Sequence, residues 1–153
     1  MYKKWFSDYV YVQVWEHRLK AVCLEHKGSF NDYPALAIRK NARREVVEIG
    51  RAALNLQQSE IELVNPFSHP RMLLVDFMCA EKLLRYVLRS VYKIGWFTPA
   101  PIMIIHPMEK LDGGLTEIEI RAWSELGLST GVRKAVVYTG PTLELKRELL
   151  ESL

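Results

Sequence analysis

The fold is decided by residues 101–107, which have the sequence PIMIIHP. An apolar run of this length between two prolines is typical of a strand that is buried on both faces. Such strands belong to parallel sheets, which helices cover on either side. The run therefore predicts an α/β fold, and the residues before and after it must supply the helices and the neighbouring strands.

Helices are predicted on both sides of this strand. Before it, apolar residues recur with helical spacing over residues 77–93, and Asp76 stands where a side chain can cap the first turn. After it, Thr116 and Glu119 match a capping box, in which each side chain accepts a hydrogen bond from the other residue's backbone N–H group. Gly131 stands where a left-handed residue would end this second helix.

The first fifty residues carry strand signals instead. Residues 9–15 and 20–25 are rich in β-branched and aromatic side chains and are joined by a short polar connection, which predicts a hairpin. A third strand is predicted at residues 34–39, after a turn at residues 27–29. Another short strand is predicted at residues 46–49.

The remaining elements complete the topology. Residues 134–138 predict a last strand, and residues 143–153 predict a closing helix. Strand–helix–strand units require parallel pairing with right-handed crossovers, whereas the early hairpins add antiparallel strands. We therefore predict a single domain over residues 1–153. It contains a mixed sheet of about five strands flanked by helices, with three antiparallel strands followed by parallel strand–helix units.

Composition and charge narrow the class of protein. A net charge of +3, from basic residues scattered along the chain, does not favour nucleic acid as a partner. Cys23 and Cys79 are interpreted as small buried hydrophobes, and the four histidines lack the spacing of zinc sites, so no metal site is predicted. Neither a signal-peptide pattern nor an apolar run long enough to span a membrane is recognisable, which predicts a cytoplasmic protein.

The loop after the buried strand offers one candidate ligand site, formed by His106, Glu109, Asp112, Gly113 and Gly114. Open α/β sheets bind ligands at the carboxyl ends of their strands, and His106 lies at such an end. The two acidic residues would form an acid–base cluster with it, and the glycines would leave backbone N–H groups free to hold an anion. The alternative is that the chain only leaves the sheet here and the charges solvate a loop. No nucleophile with a positioned base is recognisable, so no catalytic residue is predicted.

The N-terminal sequence MYKKWF alternates lysines with aromatic residues. Trp5 and Phe6 could contact a membrane interface while the lysines bind anionic headgroups. This interpretation would place the protein at the inner face of the membrane. The alternative is a frayed terminus that contributes only Trp5 to the core.

Several segments along the chain carry a family resemblance. They are residues 1–6, 37–39, 46–53, 65–77, 80–86, 104–107 and 114–122. In the same order, they resemble segments in the first half of MreB, the family of bacterial actin homologues that determine rod shape. The resemblance implies the ribonuclease-H-like core of actin subdomain IA, and the strand order predicted above is compatible with that core.

The chain departs from the resembled family where that family binds ATP. The family's first phosphate loop is an Asp-x-Gly-Thr turn, but residues 12–17 here have the sequence VQVWEH, and Trp15 would obstruct a turn that uses glycine for its lack of a side chain. The family's water-orienting glutamate is also missing from residues 138–141, which are YTGP. The second phosphate loop and the other subdomains have no counterpart in these 153 residues. ATP hydrolysis is therefore not expected, and no cofactor is predicted.

The function expected from these features is that of a non-catalytic, actin-like interaction module with a role in cell shape. The resemblance implies that the helix at residues 116–130 helps to pair protofilaments, so the partner would be a second copy, in a homodimer, or an MreB-type filament protein. The residues expected at this interface are Ile118, Glu119, Arg121, Ala122 and Glu125. Packing of this face against the core is the alternative. The competing function is a small-molecule or phosphate-ligand-binding protein, or an enzyme, that uses the loop after residues 101–107.

Overall fold

The structure, a computed structural model, describes residues 7–93 and 95–153. This part of the chain forms a five-stranded mixed sheet, a three-stranded antiparallel sheet and three α-helices. The predicted α/β class and the mixed five-stranded sheet are therefore confirmed. Trp5 and Phe6, which the sequence suggests as membrane contacts, lie outside the described residues.

The main sheet opens with an antiparallel meander of three strands, which are β1 (Tyr9–Val14), β2 (Leu19–Cys23) and β3 (Ser29–Asp32). The strand predicted at residues 34–39 is present as Leu36–Arg39, but its predicted place as the third strand of this meander is wrong, because β3 takes that place and the predicted strand belongs to a second sheet. The strand β3 lies at the edge of the sheet and contains a single apolar residue, Phe30. An edge strand of this composition lacks the hydrophobic pattern by which buried strands are recognised.

A second, smaller sheet follows the meander. Its antiparallel strands are β4 (Leu36–Arg39), β5 (Val46–Ile49) and β6 (Ile61–Val64), with β4 in the centre. The predicted strand at residues 46–49 is confirmed as β5. The strand β6 has no sequence prediction because its middle residues are exposed, so its side chains do not follow a buried pattern.

The first helix, α1 (Phe77–Val91), agrees with the prediction. Its N-cap is Asp76, whose carboxylate accepts a hydrogen bond from the backbone N–H of Cys79 at 3.0 Å. The buried face of α1 packs on the main sheet, where it contacts both β2 and β3. Its buried residues are Cys79, Ala80, Leu83, Leu84, Val87, Leu88 and Val91.

Two parallel strands complete the main sheet. The strand β7 (Ile102–Pro107) pairs in parallel with β1 on one side and with β8 (Lys134–Val137) on the other. The resulting order is β3-β2-β1-β7-β8. The carboxyl ends of β1 and β7 therefore lie side by side, with Val14 opposite Pro107.

The second helix, α2 (Glu117–Ser129), connects β7 to β8 and packs beside α1. The capping box is present as predicted: Glu119 accepts from the Thr116 backbone N–H at 2.8 Å, and Thr116 accepts from the Glu119 backbone N–H at 3.2 Å. Gly131 follows the helix with a φ of 96°, in the left-handed region, as predicted. The side chain that anchors α2 in the core is Trp123, which stacks on Phe67.

The opposite face of the main sheet is covered by the C-terminal residues. The prediction of a helix over residues 143–153 is wrong in extent, because α3 covers only Arg147–Glu151. Leu143 and Leu145 alternate with charged residues, and this period of two packs on the sheet as extended chain. Leu150 then closes the same apolar cluster from α3.

Candidate functional site

The turn between β1 and β2 lies at the carboxyl end of the sheet, where open α/β sheets bind their ligands. It is a tight turn in which the backbone N–H of Trp15 donates to the carbonyl of Arg18 at 2.8 Å. The guanidinium of Arg18 also lies over the Trp15 ring, 5.2 Å from its centre. The position that the sequence resemblance equates with a phosphate loop therefore carries an indole stacked under a cation.

A carboxylate from the loop after β7 binds a backbone N–H group of this turn. Glu109 accepts a hydrogen bond from the backbone N–H of Glu16, at 2.8 Å from nitrogen to Oε2. In a phosphate-binding turn, backbone N–H groups of this kind face the ligand. Here the carboxylate of Glu109 takes the place of the ligand.

The side chain of Glu16 is itself held by two donors. The hydroxyl of Ser68 donates to Oε1 at 2.9 Å, and the ammonium of Lys110 lies 3.3 Å from Oε2. The hydrogen bond from Ser68 and the nearby Lys110 both lower the pKa of the Glu16 carboxyl. Lys110 also donates to the carbonyl of His69, and its side chain is only 17% exposed. Its charge is therefore engaged within the protein.

The loop at residues 65–70 was not singled out by sequence reasoning as part of this site. The amide of Asn65 donates to the Glu16 carbonyl at 2.7 Å, and its oxygen accepts from the Phe67 backbone N–H at 2.9 Å. The Asn-Pro pair at the start of this loop signals a turn but does not reveal its distant contact. These contacts join the β1–β2 turn, the loop after β7 and the loop before α1 into one network, which we call the Glu16 network (Glu16, Asn65, Ser68, Glu109, Lys110).

His106 lies away from that network, on the other face of the sheet. It is 2% exposed, and its Nδ1 is 2.6 Å from the hydroxyl of Tyr11. The backbone N–H of Leu143 donates to the Tyr11 oxygen at 3.3 Å, which leaves the Tyr11 proton to be donated to His106. Burial lowers the pKa of His106, although a hydrogen bond with the Gly140 backbone opposes this. His106 is thus held as a neutral side chain that ties the C-terminal segment to the sheet.

The remaining residues of the predicted ligand loop are at the surface. Asp112 is exposed, and Gly113 and Gly114 adopt left-handed φ values of 77° and 81° with open space around them. The structure gives Glu109 a contact with Glu16, whereas His106 contacts the aromatic rings of Tyr11 and Tyr138. The predicted acid–base cluster of His106, Glu109 and Asp112 stays a prediction.

The predicted interface residues lie on α2 and differ in their surroundings. Ile118 is 82% exposed, and Arg121 and Glu125 form an exposed ion pair at 2.9 Å. Glu119 takes part in the capping box, and Ala122 is half-buried. Leu128, also exposed, was missed by sequence reasoning although it follows Glu125 by three residues. The stripe of Ile118, Arg121, Glu125 and Leu128 forms one face of the helix, which we call the α2 stripe.

Known proteins share this fold and part of this sequence. No protein-family profile matches the chain. The cell shape-determining protein MreB of Pasteurella multocida (strain Pm70) is 24% identical over 106 residues, which cover 67% of this chain and 28% of that protein. MreB5 of Spiroplasma citri bound to AMPPNP superimposes with a TM-score of 0.70 at 15% identity, over 87% of this chain and 38% of MreB5. A non-polymerising MamK mutant bound to AMPPNP superimposes with a TM-score of 0.69 at 14% identity, over 87% of this chain and 41% of MamK.

The fold is therefore that of actin-like proteins, and the expected resemblance to MreB is confirmed. The chain matches well under half of the length of each of these relatives. Within residues 7–93 and 95–153, no helix combines the length and the apolar character that crossing a membrane requires.

Proposed function

We propose that this chain is a non-catalytic actin-like module of cell-shape control that works by binding a second actin-like chain, either another copy or an MreB-type filament protein. The observation that carries the proposal is the α2 stripe, because its residues are exposed and their order along the helix would make it self-complementary in a two-fold dimer. The Glu16 network supports the absence of catalysis. The kinship with a cell shape-determining protein supports the cellular role.

The lack of ATP chemistry is argued from the β1–β2 turn. Phosphoryl transfer needs a carboxylate to hold magnesium and free donors to cradle the phosphates. In this turn the Glu16 N–H is bonded to Glu109, and the Lys110 ammonium is paired with the Glu16 carboxylate. A triphosphate would have to displace two protein carboxylates before it could reach these donors. We infer that the Glu16 network occupies the place of a ligand and does not form a binding site for one.

The α2 stripe is suited to antiparallel pairing with an identical helix. If two copies of α2 pair antiparallel through their exposed faces, with the contact centred at the level of residue 123 along the helix, Ile118 of one copy faces Leu128 of the other, at both ends of the contact. Arg121 of one copy then faces Glu125 of the other, also twice. These residues span about 15 Å of helix. Each copy therefore contributes two apolar ends and a central pair of opposite charges.

A charge-reversal experiment tests this pairing. Arg121→Glu gives a stripe with two acidic residues, and Glu125→Arg gives one with two basic residues. Each variant alone should sediment as a monomer, because like charges then face each other. A 1:1 mixture should form a heterodimer, because every facing pair is again of opposite charge. Lys40→Glu, at an exposed position outside α2, is the matched control and should associate as the unmodified chain does.

Sedimentation velocity measures whether the chain binds another copy of itself. Co-sedimentation measures whether it binds an MreB-type filament. Association that Ile118→Glu abolishes in either assay supports the proposal. A chain that stays monomeric and also fails to co-sediment, at concentrations where the filament forms, would overturn it. Association that is unchanged by Ile118→Glu and by both charge reversals would overturn the assignment to α2.

Membrane contact is a second candidate function, favoured by one observation. Trp96 and Phe97, in the loop before β7, are almost fully exposed. This loop lies at the end of the sheet where β1 begins, because the Ile102 N–H donates to the Asp8 carbonyl at 2.8 Å. An aromatic pair of this kind suits the headgroup region of a bilayer. We propose that it acts together with the lysines at residues 3 and 4.

Vesicle flotation tests this second candidate. Phosphatidylglycerol vesicles should carry the chain upward, and the double variant Trp96→Ser, Phe97→Ser should remain at the bottom of the gradient. Met78→Ser is the control, since it removes an exposed apolar side chain at the start of α1. Flotation that is equal in the double variant would contradict a role for this loop, and an absence of flotation would contradict membrane contact altogether.

A further inference from the structure

Three side chains of different chemistry converge at the start of β1, far from the Glu16 network. Asp8 precedes β1, Cys23 ends β2, and His26 lies in the turn that follows. The Sγ of Cys23 is 2.9 Å from Asp8 Oδ2, and the Nδ1 of His26 is 2.5 Å from the same oxygen. One ligand atom from each residue lies within 4.8 Å of the other two.

The carboxylate of Asp8 is fixed in place by the backbone. The N–H groups of Tyr9 and Glu25 donate to Oδ1 at 2.8 and 2.9 Å, and the N–H of His26 donates to Oδ2 at 3.2 Å. Asp8 is 4% exposed, so water contributes little to its solvation. A carboxylate oriented by backbone donors holds its geometry when a further group binds to it.

The other two residues are also supported. The ring of His26 meets the ring of Tyr92 edge to face, with centres 4.7 Å apart. Cys23 is 1% exposed and belongs to the main apolar cluster. The side chain of His26 is 44% exposed, which gives access to the cluster from solvent. The site is therefore buried at two ligands and open at the third.

We propose that Asp8, Cys23 and His26 bind a divalent cation of the zinc class. Thiolate, imidazole and carboxylate are the three side-chain ligands that zinc uses, and three protein ligands leave a fourth tetrahedral position for water. Two anionic ligands also balance the double charge of the ion, so its burial leaves no net charge. Binding breaks the S–H bond of Cys23, releases that proton to solvent and forms a metal–sulfur bond. The Nδ1 of His26 gives up to solvent the proton with which it contacts Asp8, and Nε2 takes one up, so that neutral His26 binds the ion through Nδ1.

The sequence alone does not indicate this metal site. Cys23 and His26 are three residues apart across a hairpin turn, but a single pair of this kind is too common to predict a metal. The third ligand comes from before the preceding strand and is brought close only by the antiparallel pairing of β1 with β2. The alternative is a purely structural role, in which the three side chains stabilise the hairpin. The experiment must distinguish this role from metal binding.

Cobalt(II) titration tests the site, because cobalt binds zinc sites and absorbs visibly when it is four-coordinate and bonded to a thiolate. The unmodified chain should bind one equivalent of cobalt with a thiolate charge-transfer band, and zinc should displace it. His26→Gln should weaken cobalt binding at least tenfold and Cys23→Ser should abolish the band. Cys79→Ser and His17→Gln are the matched controls, since they remove the other cysteine and an exposed histidine.

Thermal unfolding of every variant without metal shows which of them are folded. His26 is partly exposed, so its variant keeps the proposal testable even if Cys23→Ser does not fold. A thiolate band in the unmodified chain and in both controls, reached in His26→Gln only at cobalt concentrations at least tenfold higher, supports the site. The absence of a thiolate band in the unmodified chain would overturn it, as would a band that persists in folded Cys23→Ser or that disappears in Cys79→Ser.

Discussion

The carboxylate of Glu109 accepts a hydrogen bond from the backbone N–H of Glu16, 2.8 Å away, across the carboxyl ends of two parallel strands. The two residues are 93 positions apart in the chain. Their contact places an acidic side chain at the backbone group that a phosphate-binding turn would offer to its ligand. The Glu16 network that surrounds it connects three loops at the end of the sheet where a ligand is expected.

Removing this carboxylate should destabilise the fold. Glu109→Ala leaves the half-buried N–H of Glu16 without its acceptor and should lower the free energy of unfolding by about 1–2 kcal/mol. Glu109→Gln keeps an acceptor oxygen and should cost less. Urea unfolding followed by tryptophan fluorescence measures both. Glu60→Ala, which changes an exposed carboxylate, is the control and should stay within about 0.5 kcal/mol of the unmodified chain.

The buried His106 should make the stability depend on pH. Its pKa is lowered in the folded state by burial, so between that value and about pH 6.5 the unfolded chain binds more protons than the folded one. Stability should therefore fall as the pH drops through this window, by up to about 1.4 kcal/mol per pH unit. His106→Gln should remove this part of the slope, while His17→Gln, in an exposed turn, should retain it. An identical slope in all three proteins would show that His106 does not titrate as argued.

Gly28 allows the β2–β3 hairpin to approach the end of α1. A Cβ atom at this position would lie 2.2 Å from the Val91 carbonyl oxygen, a backbone atom that cannot rotate away. Gly28→Ala should therefore force the hairpin off the helix and cost about 1–3 kcal/mol. Ser29→Ala, at the next and exposed residue, should cost much less. Equal unfolding midpoints for the two variants would contradict the close approach.

The capping box of α2 should stabilise the helix that carries the proposed interface. Thr116→Ala removes the side-chain acceptor for the Glu119 N–H and should cost about 1 kcal/mol. Thr142→Ala, in an exposed extended segment, should have little effect. Thermal unfolding midpoints measure both effects, and equal midpoints for the two variants would contradict a stabilising cap at Thr116. If Thr116→Ala also weakens self-association, the start of α2 must be ordered for the α2 stripe to bind.

The sequence predicts those elements whose signals are local or repeated. The capping residues Asp76 and Thr116 mark their helices because each side chain binds a backbone group three residues on. The buried run at residues 102–105 marks β7 because both of its faces are covered. The strand β3 escapes prediction because an edge strand keeps only one apolar side chain, and the extended Leu143 and Leu145 were mistaken for helix.

The candidate sites are harder to predict, because tertiary pairing forms them. No spacing in the sequence indicates that Glu109 meets Glu16, or that Asp8 meets Cys23 and His26. The α2 stripe lies between these cases, since three of its four residues, Ile118, Arg121 and Glu125, were expected from a family resemblance and Leu128 follows from helical spacing alone. A contact between distant loops becomes visible only once the strand order is known.

The central claim, that this end of the actin-like fold is occupied by the protein's own side chains and carries no ATP chemistry, is tested most directly by calorimetric titration of the 153-residue chain with magnesium ATP, alongside an assay of phosphate release. We predict no saturable heat of binding and no release above the rate without protein, for the unmodified chain and for Glu109→Gln alike. Saturable binding of one ATP per chain, accompanied by phosphate release that Glu16→Ala abolishes, would contradict the account.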